Sequence, residues 1–345
     1  MHCAEGASLG GAAMKHLGRL AALVGLLASV WLVWRSNPEA VLALMRTAGT
    51  GLVVAGLAHV LTMLPNAREW QMLIRGADRP SLAGMLHLVW IRESVNAMLP
   101  VGRIGGEIVS FRLMRARGMR ASAAAASLVV DLQLTVISQL LFTTVGIGFL
   151  FAHAASNGLR LAGNLMWGVV VFAPILGLFA LVQHANPFER VARLFSRATG
   201  GRFAALVGQS ARIDQRIKLI WRRRGVVLRY LFFWQPLQCL GTSLELWLAL
   251  YFMHSQVGFL KAVVIESLIQ AVSSAAFFVP GALGVQEGGF ILIGGALGLD
   301  PATGMALAGA RRIRDLVIYL PGLFAWHAAE SSAKAVTSGV DVPAA

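Results

Sequence analysis

The chain has 345 residues, 57% of them hydrophobic and 13% charged, with a net charge of +14 and a mean hydropathy of +0.68. A soluble domain carries about 25% charged residues, and several apolar runs here approach or pass the roughly 18–20 residues that cross a bilayer, so a large soluble core is excluded. The runs do not alternate as barrel strands would. The basic excess lies in particular loops with no aromatic interleaving, which points to the positive-inside rule and away from nucleic acid.

Residues 1–16 are a small, mildly polar tail. With a cytoplasmic N-terminus, Leu17–Trp34 is an uncleaved first span going outward. Val41–Leu64 returns, and the segment from Pro65 to Pro80, with Arg68, Arg75 and Arg79, is an inside loop. Leu82–Leu99 is apolar but interrupted by His87, Arg92, Glu93 and Asn96, and it ends at Pro100. The loop after it carries Arg103, Arg112, Arg115, Arg117 and Arg120. A full crossing would put that loop outside. A re-entrant hairpin returning through Glu107–Gly118 keeps it inside, and the charge rule favours the hairpin.

Ala121–Ala152 then spans outward and Leu165–Gln183 returns. Asn186–Arg224 is a strongly basic connector, either a solvated cytoplasmic segment or an interfacial helix on which Ile213, Ile217 and Ile220 face lipid. Val226–Met253 crosses again. Val263–Val279 leads into a second break at Pro280, followed by a return through Glu287–Gly298. Ala302–Ala328 comes back inside, and residues 331–345 form a tail. The expected fold is all-α: one membrane domain over residues 17–330, about six full spans and two re-entrant hairpins. Its halves are residues 41–152 and 226–328, joined by the connector. Three full spans between the breaks make the repeat inverted. If only the second hairpin crossed fully, the repeat would be parallel.

The breaks are the most informative motif. Pro100-Val101-Gly102-Arg103-Ile104-Gly105-Gly106-Glu107 is echoed 180 positions later by Pro280-Gly281-Ala282-Leu283-Gly284-Val285-Gln286-Glu287. Each copy has a glycine eleven residues past its Glu, Gly118 and Gly298. Pro100, Gly102, Gly105, Gly106, Pro280, Gly281 and Gly284 are the expected breaks. There, freed backbone groups must find protein, water or substrate partners. A carboxylate in lipid is costly and marks a functional position. Glu107 and Glu287 either cap their half-helices at the positive dipole end or line a polar cavity. Both roles are compatible.

The same offset relates Asp131 to Arg311. Equivalent positions of an inverted repeat meet near its axis, so Asp131 is expected to pair with Arg311 or Arg314 at mid-membrane. The alternative is that Asp315 neutralises the arginine cluster locally. Arg103, Glu93 and Asn96 complete the expected cavity. Arg92, Gln133, Gln139, Gln238, Glu245, Glu266 and Gln270 are more ordinary helix-bonding residues. Cys3 and Cys239 form no disulfide framework. The sequence holds no phosphate-binding loop, zinc-ligand spacing or nucleophile motif, so no cofactor, no metal and no enzymatic activity are expected.

With these residues in order, the segment from Pro100 to Asp131, the Val279–Gly288 stretch and Arg311-Arg312-Ile313-Arg314 resemble the integral membrane region of lysylphosphatidylglycerol synthases, over roughly residues 15–330. In length and stand-alone format the chain is similar to hopanoid-biosynthesis-associated membrane proteins. The first family motif places Arg after the intramembrane Asp, whereas Leu132 and Gln133 stand here. The resemblance implies a flippase-like fold in a bacterial inner membrane, with both termini cytoplasmic. Its partner is a membrane lipid, either a hopanoid or an anionic phospholipid. Lipid-synthesis enzymes are further candidate partners. A membrane-embedded transferase using Glu107 or Glu287 as base and a scaffold acting through the basic connector are the alternatives.

Overall fold

The computed structural model describes residue 27, residues 30–76, 79–99, 105–153, 163, 166–167, 204–276 and 279–338. Most of the expected first span, nearly all of Leu165–Gln183, residues 186–203 of the connector and the end of the C-terminal tail lie outside the described residues. So do Pro100, Gly102 and Arg103. Among the described residues the chain is helical and contains no strand.

Helix α1, Pro38–Ala48, starts with Asn37 accepting from the Ala40 N–H and with Pro38 in its first turn. It ends at Gly49, which holds a positive φ of 50°. The chain then bends by 77° into α2, Gly51–Ala58, and α3, Val60–Leu73. This corrects the expected straight span Val41–Leu64 and the loop after it. The helix does not stop at Pro65 but carries it inside α3. Asn66, Glu69 and Trp70 are therefore buried in the core.

Helix α4, Leu82–Met98, is capped by Ser81, whose Oγ accepts from the Gly84 N–H at 3.1 Å. Helix α5 is Gly105–Ala116. The Arg117 guanidinium, just past the end of α5, donates to the Gly84 carbonyl at 3.0 Å and meets the His87 ring at 2.9 Å. The two legs thus begin and end together, as a hairpin requires. Helix α6, Ala121–His153, is the one described helix long and apolar enough to cross a bilayer alone. The bent α1–α3 segment passes the same test as a unit.

Helix α7, Ala204–Trp221, packs on α6 with Ile217 and Ile220 buried. Its apolar stripe faces protein, which corrects the reading of a lipid-gripping interfacial face. Helix α8, Arg224–Arg229, leads through a π-turn at Tyr230–Trp234 into α9, Gln235–Phe252. Helix α10, Phe259–Ala275, and α11, Val285–Ala296, form the second pair of legs. Lys261 near the start of α10 donates to the Leu297 carbonyl past the end of α11 at 3.2 Å. Helix α12, Pro301–Arg314, continues through a π-turn at Asp315–Tyr319 into α13, Leu320–Ser338.

The glycines following each motif now have a reason. Gly118 and Gly298 sit at φ 83° and 95°, where a side chain would be strained. After each, the next N–H reaches back six residues counted inclusively: Met119 to the Met114 carbonyl at 3.1 Å, Leu299 to that of Gly294 at 2.9 Å. Both short legs thus end in the same left-handed cap.

Two apolar cores result. One gathers Trp70, Met85, Leu88, Ile91, Met114 and Leu134. The other gathers Leu52, Ile147, Leu150, Leu250, Leu268 and Phe290. Helix α6 contributes its first half to one and its last turns to the other. The outer surface is apolar too: Leu61, Val145, Phe232 and Phe324 are each at least 66% exposed. Buried charges such as Glu69, Asp131, Glu266 and Arg311 together with this exposed hydrocarbon suit a chain surrounded by lipid.

Candidate functional site

Between the two cores runs a connected series of buried polar side chains. Asp131 on α6 accepts from Arg92 on α4 at 2.6 Å and from the Tyr230 hydroxyl at 2.8 Å. Arg92 also donates to the Asn66 amide oxygen at 2.9 Å, and its guanidinium lies 4.5 Å from the centre of the Trp70 ring. The Asn66 amide donates to Glu93 at 2.7 Å. Glu93 stands 3.7 Å from His59 Nε2, which also meets the Tyr319 hydroxyl at 2.8 Å. His59 Nδ1 meets Glu245 at 2.7 Å. Glu245 receives Arg314 at 3.2 Å, and Arg314 binds Asp315 at 2.7 Å. Asp315 lies 3.6 Å from Arg312, which holds Glu287 at 2.8 Å. The series therefore runs without a gap from Asp131 in the first half to Glu287 in the second.

Two features of the backbone place these groups. Each π-turn immediately precedes a proline: the Gln235 N–H bonds the Tyr230 carbonyl before Pro236, and the Leu320 N–H bonds the Asp315 carbonyl before Pro321. A proline has no N–H for the carbonyl four residues back and crowds it, so the turn widens. Each widened turn carries a tyrosine of the polar series, Tyr230 or Tyr319. A carbonyl of the second turn, Ile318, accepts from the Trp90 indole N–H at 2.8 Å.

The hairpin tips differ in what holds them. In the first, the Asn96 amide donates to the Glu107 carboxylate at 3.2 Å and its oxygen accepts from the Gly106 N–H at 2.8 Å. Gly105 and Gly106 open helix α5 and are not themselves the break. Gly106 is packed against Arg92 and Asn96. In the second, Gly281 and Gly284 do form the turn, at φ 60° and 77°, beside the 3-10 turn that Pro280 starts. Arg312 donates to the Gly281 carbonyl at 3.0 Å while also binding Glu287. The tips approach each other: a Cβ on Gly281 would stand 3.6 Å from the Ala97 carbonyl. Glu287 is 4% exposed and its Oε2 has no partner, whereas Glu107 is half-buried.

The expected pairing of Asp131 with Arg311 or Arg314 is wrong. Arg311 is bound by Glu266 of α10 and lies over the Phe290 ring, and Arg314 by Glu245 and Asp315. The reason is packing. Helix α6 lies on α3, α5, α7 and α10, whereas α12 lies on α1, α2 and α11, so α6 and α12 do not share a seam. Each half instead builds its own ion pair with the charges exchanged. In the first, Arg sits on the entering leg and Asp131 on the long helix. In the second, Glu266 sits on the entering leg and Arg311 on the long helix.

Glu93, Glu287 and Arg314 lie in this polar series and Asn96 beside it at the first tip, and Glu107 lies close enough to Arg92 to act on its charge. Arg92, Glu245 and Glu266 form buried ion pairs between helices. His59, Asn66, Glu69, Tyr230 and Tyr319 were missed. A histidine inside the apolar run around Leu57 was signal enough. Asn66 and Glu69 fall in the segment from Pro65 to Pro80, which the sequence reads as an inside loop. A cavity of about 10 Å³, room for one water, lies between Glu245 and Arg311 and is walled by Leu52, Gly56 and Leu246. Among the described residues no cluster of His, Cys, Asp and Glu is suited to a metal ion.

Compared with known proteins, residues 20–322 match the family described as the lysylphosphatidylglycerol synthase TM region. No curated protein and no solved structure matches the chain.

Proposed function

The chain belongs to the family of the lysylphosphatidylglycerol synthase TM region, a multi-pass membrane family, and from that premise we propose that it moves a lipid between leaflets. The carrying observation is the unbroken polar series from Asp131 to Glu287 between two apolar cores. Such a series in hydrocarbon costs several kcal/mol per ion unless each charge is paired, and it offers a polar headgroup a route through the middle. In this reading the tips at Glu107 and Glu287 part, the headgroup exchanges with the ion pairs, and the tail stays in lipid. The activity is transport and not catalysis. A hopanoid or an anionic phospholipid is the cargo, and synthesis enzymes deliver it.

The same reading takes the halves as an inverted repeat with about six spans and two hairpins. Two contacts support it. The first hairpin opens at Gly84 and Arg117, beside the start of α6, and the second at Lys261 and Leu297. Leu150, near the far end of α6, shares a core with Ala262 at the opening of the second. Basic residues gather where the first hairpin opens. Arg223 donates to the Leu73 carbonyl at 3.4 Å and feels the charges of Arg75 and Arg79, while Arg112 stands 3.0 Å from Glu330. That end is cytoplasmic by the positive-inside rule, which puts the C-terminus inside and suits a bacterial inner membrane.

The test is reconstitution into liposomes carrying a headgroup-labelled lipid, with a membrane-impermeant quencher reporting leaflet exchange. The protein accelerates exchange over empty vesicles. Glu107→Gln and Glu287→Gln abolish the acceleration while eluting as the folded protein does. Exchange no faster than in empty vesicles, over several headgroup classes, refutes the reading.

A further inference from the structure

Beside the polar series lies an acid, Glu69, that has no ion pair among the described residues. Glu69 on α3 is 1% exposed and surrounded by the apolar core around Ala67, Trp70 and Leu73. Its Oε1 accepts from the Gln235 amide at 2.7 Å, and its Oε2 has no hydrogen-bond partner. The charged or titratable groups facing it are Asp131 of α6, Arg92 of α4 and Tyr230 of the first π-turn. Helix α9 presents the neutral Gln235, and α2 carries no titratable residue. Arg92 is already bound to Asp131. A second carboxylate beside Asp131, with no cation of its own, cannot stay ionised in a low-dielectric interior. Where two acids share one site, one of them holds a proton.

We propose that Glu69 is an exchangeable proton-binding site and that lipid movement is coupled to its proton, a step that rests on the transport reading above. The geometry supplies both partners of the exchange. The Tyr230 hydroxyl, bonded to Asp131, lies next to Glu69. The Arg92 guanidinium lies over Trp70, the residue following Glu69. Moving the proton from Glu69 to Asp131 through that hydroxyl, while Arg92 changes partner from Asp131 to Glu69, conserves charge. It also frees Arg92 from Asn66 and so releases the link to Glu93 and His59. The proton thereby opens or closes the series that joins the two hairpins.

Two measurements test this with the full-length protein. Infrared difference spectra between acidic and alkaline buffer show the stretching band of a protonated carboxyl group in the native protein, and Glu69→Gln, an isostere of the neutral acid, removes that band. In proteoliposomes an imposed proton gradient changes the native exchange rate several-fold, and Glu69→Gln makes the rate indifferent to the gradient. An unchanged carboxyl band in Glu69→Gln overturns the proton site. A native gradient response in that variant overturns the coupling. Absence of exchange under every condition overturns the transport reading and the coupling with it, while the infrared band still decides whether Glu69 holds a proton.

Discussion

Replacing Asp131 by Ala tests the ion-pair arrangement most directly. The Asp131 side chain is 6% exposed and that of Arg92 is 11% exposed, so neither is solvated. Without the carboxylate, Arg92 keeps only the Asn66 oxygen at 2.9 Å and the face of Trp70. An orphaned buried charge of this kind costs about 3–5 kcal/mol. Replacing both members by apolar residues of similar volume, Asp131→Leu with Arg92→Met, is often nearly neutral, so the double variant regains most of the loss. Unfolding in mixed micelles with increasing denaturant reads the difference. Combining Asp131→Ala with Arg311→Ala gives losses that add within about 0.5 kcal/mol, because Glu266 and not Asp131 holds Arg311. A coupling of Asp131 to Arg311 as large as that to Arg92 refutes the assignment.

Three further outcomes follow from named contacts. Gly322→Ala drives a methyl group into Ser94, whose Cβ would stand 2.9 Å away. The resulting overpacking costs about 1–3 kcal/mol, measured by the same unfolding assay, and Ser94→Gly relieves it. Asp300, exposed at the start of α12, is pulled up by its partial burial but pulled down further by hydrogen bonds from Thr303, leaving its carboxyl below the usual range. Its cap therefore stabilises fully at neutral pH and is lost as pH falls through its lowered folded value. Asp300→Ala costs about 1 kcal/mol at pH 7 and nearly nothing in strong acid; an equal loss at both pH values contradicts this. Finally, single cysteines at Ala116 and Gln256, both exposed and at the openings of the two hairpins, react with impermeant maleimide from opposite faces in oriented vesicles. Labelling of both from one face rejects the inverted arrangement.

Much of the site was legible as residue identities but not as partners. Glu93, Asn96, Arg314 and Glu287 stood out because ionisable side chains in apolar runs are expensive. The 180-residue echo located both short legs, and the glycines after them proved to be matching helix caps. Glu69 and His59 escaped, the first behind a proline that the helix absorbed and the second as a lone histidine among apolar neighbours.

The order of residues alone determined an apolar, helical chain with two acidic breaks, because burial cost and helix chemistry are local and additive along the chain. The tertiary structure decided which ions meet. Position 131 is matched to 311 by sequence offset, yet each charge takes its partner from elsewhere in the fold, Arg92 of α4 for Asp131 and Glu266 of α10 for Arg311. Coulomb attraction in a low dielectric is strong only at contact, and contact is set by which helix faces fit together, a property no spacing along the chain encodes.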